Sequence, residues 1–279
     1  MDPKNLTYLQ ENLKYLGFGE TLNPQLEREL KKGEPNFQLK LETEINDKAF
    51  AAVLNFRKSA ETDWYFFNSY HPTLQRKDGE ITDRAFYVNK GKGVTAKEAY
   101  NLLDGRSVFK QFTKKDGTTF QAWIQLDFEK KDKNNNPAMT QFHDNYGYNL
   151  KEAIGKYAIK EIAFPDQEDK LLKSLQKGNL QSVIIEKDGT ATKLFLEANP
   201  QYKSVTLYDN GLKRIPKESL SAFQSISADT NVKEIKKEVH QDQKQGPKKH
   251  GKTVKEKPEK GQPLLPKKRE GTKKGLGLA

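Results

Sequence analysis

Leu6, Leu9, Leu13 and Leu16 recur at three- and four-residue steps, which places them on one face of a short helix ended by Gly17 and Gly19. A second helix is signed by Asn23 as N-cap, Pro24 in the first turn, Leu26 and Leu30 on the inward face and Gly33 as the stop. The period then falls to two. FQLKLETEI (37–45) alternates apolar and polar side chains, and Phe50 to Phe56 and the aromatic run Trp64 to Phe67 read as two more strands.

The same order returns twice. Thr95 and Glu98 form a capping box that opens a helix closed by Gly105. SVFKQF (107–112), a Lys-Asp-Gly-Thr turn (115–118) and FQAWIQLDF (120–128) follow, with the Asp-Gly pair supplying the positive φ angles of a tight hairpin. NNNP (134–137) reads as a loop and Asn149 as the cap of another short helix. Asp166 and Asp169 then open a helix carrying Leu171, Leu172 and Leu175, which Gly178 closes. Strand LQSVIIE (180–186), a second Lys-Asp-Gly-Thr turn (187–190), TKLFLE (192–197) and KSVTLYD (203–209) complete the series.

This order points to an internal repeat. Gly33, Gly105 and Gly178 are spaced by 72 and 73 residues, and AVLNFRK (52–58) falls on IQLDFEK (124–130) without gaps. The fold class expected is α+β: three consecutive helix-plus-antiparallel-meander (αβββ) units at 1–92, 93–160 and 161–224, then a disordered basic tail at 225–279. The tail has no aromatic residue after Phe223 and is rich in Lys, Gln, Gly, Pro and Glu. Such a segment buries too little apolar surface to offset roughly 1–2 kcal/mol of backbone entropy per residue. Within it, NVKEIKKEVH spaces Val232, Ile235 and Val239 for one short helix.

Charge is distributed unevenly. Of 49 Lys and Arg and 38 Asp and Glu, residues 231–279 hold 15 and 6, which leaves 34 against 32 in the rest. The body therefore has no bulk attraction for polyanions, and the tail does. There is no cysteine, hence no disulfide and no thiolate metal site. The N-terminal residues lack a secretory pattern, and the longest apolar run, Ala49 to Leu54, is far short of a membrane helix. A cytoplasmic protein without membrane attachment is expected.

His71 and His143 share an offset of 38 residues from their glycines, but two histidines without a third clustered ligand read as strand-end residues rather than a metal pair. His240 and His250 fall in the tail. NKGKGVTAKE (89–98) runs into a helix N-terminus, yet it lacks the P-loop spacing and reads as a linker. Glu42, Glu44, Glu61, Asp63, Asp127, Glu129 and Asp132 fit the wet face of a sheet. Trp64, Tyr65, Phe66, Phe67, Trp123, Phe142, Tyr146 and Tyr148 could stack nucleobases, but neighbouring strand residues point to both faces, so core is the stronger reading. No catalytic residue, cofactor site or metal site is expected. The expected nucleic-acid contacts are Lys248, Lys249, Lys252, Lys267, Lys268, Arg269, Lys273 and Lys274, which would neutralise DNA or RNA phosphates without sequence preference.

VTAKEAYNLLDGRSVFKQFTKKDGTTFQAWIQLDF (94–128), QFHDNYGYNL (141–150), SLQKGNLQSVIIEKDG (174–189) and EANPQYKSVTLYDNGLKRI (197–215) together resemble a domain family of unknown function found in Bacteroidota conjugative transposons and other mobile elements. The resemblance covers about residues 93–216. It implies a bacterial protein of mobile-element origin and carries over no functional residue. The function expected is a non-enzymatic accessory protein of a mobile element, with the tail on nucleic acid and the body on an unidentified protein partner. The alternative is a protein-interaction module, or an inhibitor of a host or defence protein, with no nucleic-acid role.

Overall fold

The structure, a computed structural model, describes residues 2–76, 79–89, 93–114 and 116–225. The described residues belong to one compact unit. The expected helix at 231–240 and all eight basic tail residues, Lys248 to Lys274, lie outside the described residues.

Helix α1 (Pro3–Tyr15) starts at Asp2, whose carboxylate accepts from the Lys4 amide at 2.8 Å. Helix α2 (Asn23–Lys32) corrects the expected cap. Leu22, not Asn23, is the N-cap, because Leu22 is anchored in the core with helical backbone angles. Asn23 is drawn into the helix, and its side-chain oxygen is buried without a partner. Gly33 ends α2 at φ 73°, a left-handed angle that costs a β-carbon residue about 1–2 kcal/mol.

Strands β1 (Asn36–Ile45), β2 (Lys48–Lys58), β3 (Tyr65–Gln75) and β4 (Ile81–Asp83) form an antiparallel sheet in that order, and β5 (Phe86–Tyr87) also pairs with β3. β4 and β5 were not legible as strands in the sequence. Asn46 and Asp47, both at positive φ, turn β1 into β2. β3 carries a bulge: Asn55 pairs with Ser69 but Phe56 with Phe67. The extra residue, Asn68, aims its carbonyl at the Val88 amide, 2.8 Å away. The bulge also changes which positions face inward, so Tyr65 and Phe67 are buried before it and Tyr70 and Leu74 after it. Pro72 sits between the stretches of β3 that pair with β5 and β4, where its missing N–H leaves no gap in those pairings.

Helix α3 (Ala96–Leu103) has the complete capping box expected at Thr95 and Glu98, and Gly105 follows its end at φ 87°. Strands β6 (Val108–Thr113), β7 (Thr119–Lys131) and β8 (Pro137–His143) make a second sheet in chain order. In the turn from β6 to β7, Gly117 has positive φ, as expected. Asn149 caps α4 (Leu150–Gly155), as expected. Helix α5 (Pro165–Gln176) has Phe164 as N-cap and leads through Gly178, φ 79°, to the third sheet. Its strands β9 (Gln181–Lys187), β10 (Thr190–Asn199) and β11 (Ser204–Tyr208) run in the order β11-β10-β9. In the β9–β10 turn both Asp188 and Gly189 have positive φ.

The result is an α+β fold with three antiparallel sheets and two apolar cores. The first core joins α1, α2, α3 and the first sheet to Val108, Ile124 and Leu126. The second joins α4, α5 and the third sheet to Trp123, with Phe109 and Phe142 against it. Alternation along β6 and β7 sends neighbouring residues to opposite faces, so the second sheet is covered on both sides. Among the described residues no helix is long and apolar enough to cross a membrane.

Candidate binding cleft

A cleft of about 1060 Å³ opens where the end of α1, residues 84–87, 89 and 93–95, α3, β6 and the C-terminal half of α5 meet. Five consecutive residues of β6, Phe109 to Thr113, line it. Among the described residues this strand pairs with β7 on one side only, and its other edge faces the cleft. Tyr15 and Tyr87 also line it, at 74% and 71% exposure. Large side chains left this open are the anchors that partner surfaces commonly engage.

Its charged lining is Arg84, Lys110, Lys173 and Lys177 against Glu98. Glu98 accepts from the Thr95 amide and from Lys110 Nζ, at 2.8 and 2.7 Å, so the capping box fixes one wall. Arg84 pairs with Asp132 at 3.3 Å and donates to the Pro137 carbonyl; Lys173 pairs with Asp169 at 2.6 Å. Both acids lie outside the lining, whose own charged side chains are four basic and one acidic.

Between α3 and the end of α5, both of which contribute to the cleft, lies a buried polar knot that sequence reasoning missed. Asp104 bonds both Lys48 and Arg106, and all three are at most 12% exposed. Arg106 also donates to the Gly178 carbonyl at 2.9 Å and to Asn101 Oδ1 at 2.7 Å. Asn101, fully buried, donates to the Lys177 carbonyl at 2.6 Å. Cationic and amide donors thus satisfy the carbonyls just past the end of α5 and lock that end against α3. The Tyr100 ring has Lys97 at 4.6 Å and Arg106 at 5.4 Å from its centroid. Burial, followed by the charge of Arg106, lowers the Lys97 pKa. Glu197 accepts from Tyr208 at 2.7 Å, and burial pushes its carboxyl above the ordinary value. These charges spread over several elements with no common spacing, which is why no motif announced them.

The histidines are not brought together. His71 Nε2 lies 2.5 Å from Asp83 on the exposed face of the first sheet, while the exposed His143 packs on the Phe120 ring of the second. Among the described residues no group of three His, Asp or Glu could hold a metal ion. Glu42, Glu44, Glu61, Asp63 and Glu129 are exposed, as expected of wet faces. Asp132 instead organises its loop, accepting from the Asn134 and Asn136 amides at 2.8 and 3.1 Å. Tyr65, Phe67 and Trp123 are core; Trp64 is tied by its ring N–H to Asp2, and Tyr148 by its hydroxyl to the Ser204 carbonyl. Phe66 and Tyr146 are exposed, but neither lines the cleft, whose open tyrosines are Tyr15 and Tyr87. Of the 89–98 linker, residues 90–92 lie outside the described residues. The amides of Thr95, Ala96 and Glu98 are already bonded, to Glu98, Leu16 and Thr95, which fits a linker and not an anion cradle.

No protein-family profile, curated protein or solved structure matches the chain.

Proposed function

We propose that this chain is a non-enzymatic accessory protein of a bacterial mobile element, cytoplasmic, whose body binds a protein partner and whose basic tail contacts nucleic acid. The three helix-and-meander units would be copies of one ancestral αβββ element, each helix ending at a left-handed glycine. The observation that carries the partner reading is the cleft, a concave surface with a free strand edge and two open tyrosines. The tail reading is supported by the charge split, 15 basic against 6 acidic residues in 231–279 and 34 against 32 before it.

Two experiments on the full-length chain test the two halves. Binding to duplex DNA is measured between about 50 and 200 mM salt for wild type and for a variant with all eight tail cations, Lys248, Lys249, Lys252, Lys267, Lys268, Arg269, Lys273 and Lys274, changed to Gln. If about six phosphates are engaged, log affinity falls against log salt with a slope near −5, and the variant loses most of that slope. Equal binding by both proteins defeats the tail reading. For the body, in-cell cross-linking should recover one stoichiometric partner, and Tyr15→Ser with Tyr87→Ser should reduce its yield. Recovery of none, or recovery indifferent to both tyrosines, defeats the partner reading at this cleft.

A further inference from the structure

We infer that the free edge of β6 takes up an extended, acidic segment of the partner as an added strand. This rests on the reading of the body as a partner-binding unit and names the chemistry of what it binds. The hairpin shows which backbone groups are free. The Lys114 amide donates to the Thr118 carbonyl at 2.8 Å, and the Lys114 carbonyl accepts from Gly117 at 3.1 Å, so Lys114 faces β7. Backbone groups alternate along a strand, so Phe112, Lys110 and Val108 also face β7, while Phe109, Gln111 and Thr113 present N–H and C=O to the cleft. Towards the start of the strand the edge is closed. A β-carbon on Gly178 would lie 2.9 Å from the Ser107 carbonyl oxygen, so the end of α5 abuts the strand there. From Phe109 to Thr113 no other described strand pairs with this edge, a length of about 16 Å at ~3.3 Å per residue.

Exposed edges are normally guarded by charges, proline or bulges. β1 is guarded in this way, with Lys40, Glu42 and Glu44 exposed along it. β6 has no proline and no register shift, and its one lysine within the cleft, Lys110, is turned to Glu98. Its shelter is the cleft. The occupant is argued from charge. Four basic side chains against one acidic line the cleft, so an acidic strand is complementary. The chain's own last 49 residues, with 15 basic against 6 acidic, are not, and a second copy would bring the same basic lining.

The test selects peptides from a display library of random ten-residue sequences on the full-length protein and measures the enriched ones individually. The expected winners are acidic and poor in proline. Gln111→Pro removes an outward N–H and none of the bonds to β7, and it should weaken these peptides about tenfold. Lys173→Glu with Lys177→Glu, both exposed positions, should also weaken them. Amide exchange should slow at Phe109, Gln111 and Thr113 when peptide binds, and unchanged protection at Lys110 and Phe112 shows that the proline variant is folded. The inference is overturned if no peptide is enriched, if the winners carry no acidic excess, or if neither variant weakens them. It is equally overturned if the three amides are slowed by protein concentration alone, which assigns the edge to a second copy, or by a single-stranded oligonucleotide instead of peptide. A cellular partner still bound by the Gln111→Pro protein removes β6 from the interface while leaving the body as a partner-binding unit.

Discussion

Replacing Gly178 by alanine isolates the joint on which the cleft is built. Besides α1 with Gly17, three helices run into a glycine with positive φ, namely Gly33 at 73°, Gly105 at 87° and Gly178 at 79°. Backbone strain from a β-carbon is therefore similar at all three, about 1–2 kcal/mol. Their surroundings differ. At Gly33 nothing lies within 4 Å of the added carbon, and at Gly105 the nearest atom is on the Phe128 ring at 3.9 Å. At Gly178 the carbon would sit 2.9 Å from the Ser107 carbonyl oxygen, 2.9 Å from Val108 Cγ2 and 3.0 Å from Asn101 Cβ. Carbon atoms prefer about 3.5–4.0 Å, and overpacking of a well-filled site costs about 1–3 kcal/mol. Val108 can rotate, but the Ser107 carbonyl belongs to the backbone, and Asn101 is held by Arg106 and by the Lys177 carbonyl. Gly178→Ala is thus expected to cost about 2–5 kcal/mol in all, and Gly33→Ala and Gly105→Ala about 1–2 each. Urea unfolding of the three variants beside wild type reads the difference directly. A Gly178→Ala protein no less stable than Gly33→Ala would refute the close approach of α5 to the start of β6.

Other sites give sharper local tests. The buried Asn5 side chain accepts from the Tyr65 amide at 2.8 Å and donates to its carbonyl at 2.9 Å, so Asn5→Ala leaves both backbone groups unpaired and should cost about 2–4 kcal/mol by denaturant unfolding. Thr95→Ala removes the capping oxygen of α3 and should cost about 1 kcal/mol by the same assay, with Thr95→Ser close to wild type. Glu197 has a folded-state pKa above its ordinary 4.5, so the folded protein holds more protons than the unfolded one above that pH, and stability falls as pH rises through this window. Glu197→Gln keeps an acceptor for Tyr208 and should gain on wild type from pH 4.5 upward, then level off once the folded carboxyl is ionised; a pH-independent gap between the two unfolding curves would contradict this.

Much of the architecture is local and so was readable from the residues alone. Helix ends at Gly33, Gly105 and Gly178 follow from glycine's access to left-handed angles, and the α3 start from the Thr95–Glu98 reciprocity. β1, β2, β7 and β10 follow from alternation. What escaped depends on partners distant along the chain. Leu22 displaced Asn23 as the cap because core packing outweighed the intrinsic preference for asparagine. The bulge at Asn68 switched the buried face of β3, against the pattern within the strand, whose alternation Trp64, Phe66, Tyr70 and Leu74 reads as one apolar face. β4 and β5, three and two residues long, exist only because β3 has an edge to receive them.

The composition alone assigns positive charge to the end of the chain and near-neutrality to the rest, because charge is counted and needs no geometry. The cleft required folding. Its tyrosines sit one at the end of α1 and one in β5, its lysines in β6 and just before and after the end of α5, and the Asp104 knot draws on β2, α3 and the end of α5. Side chains so far apart in sequence acquire a common surface only when two cores form on opposite faces of one sheet, and that is a property of packing between elements, invisible to any pattern within one of them.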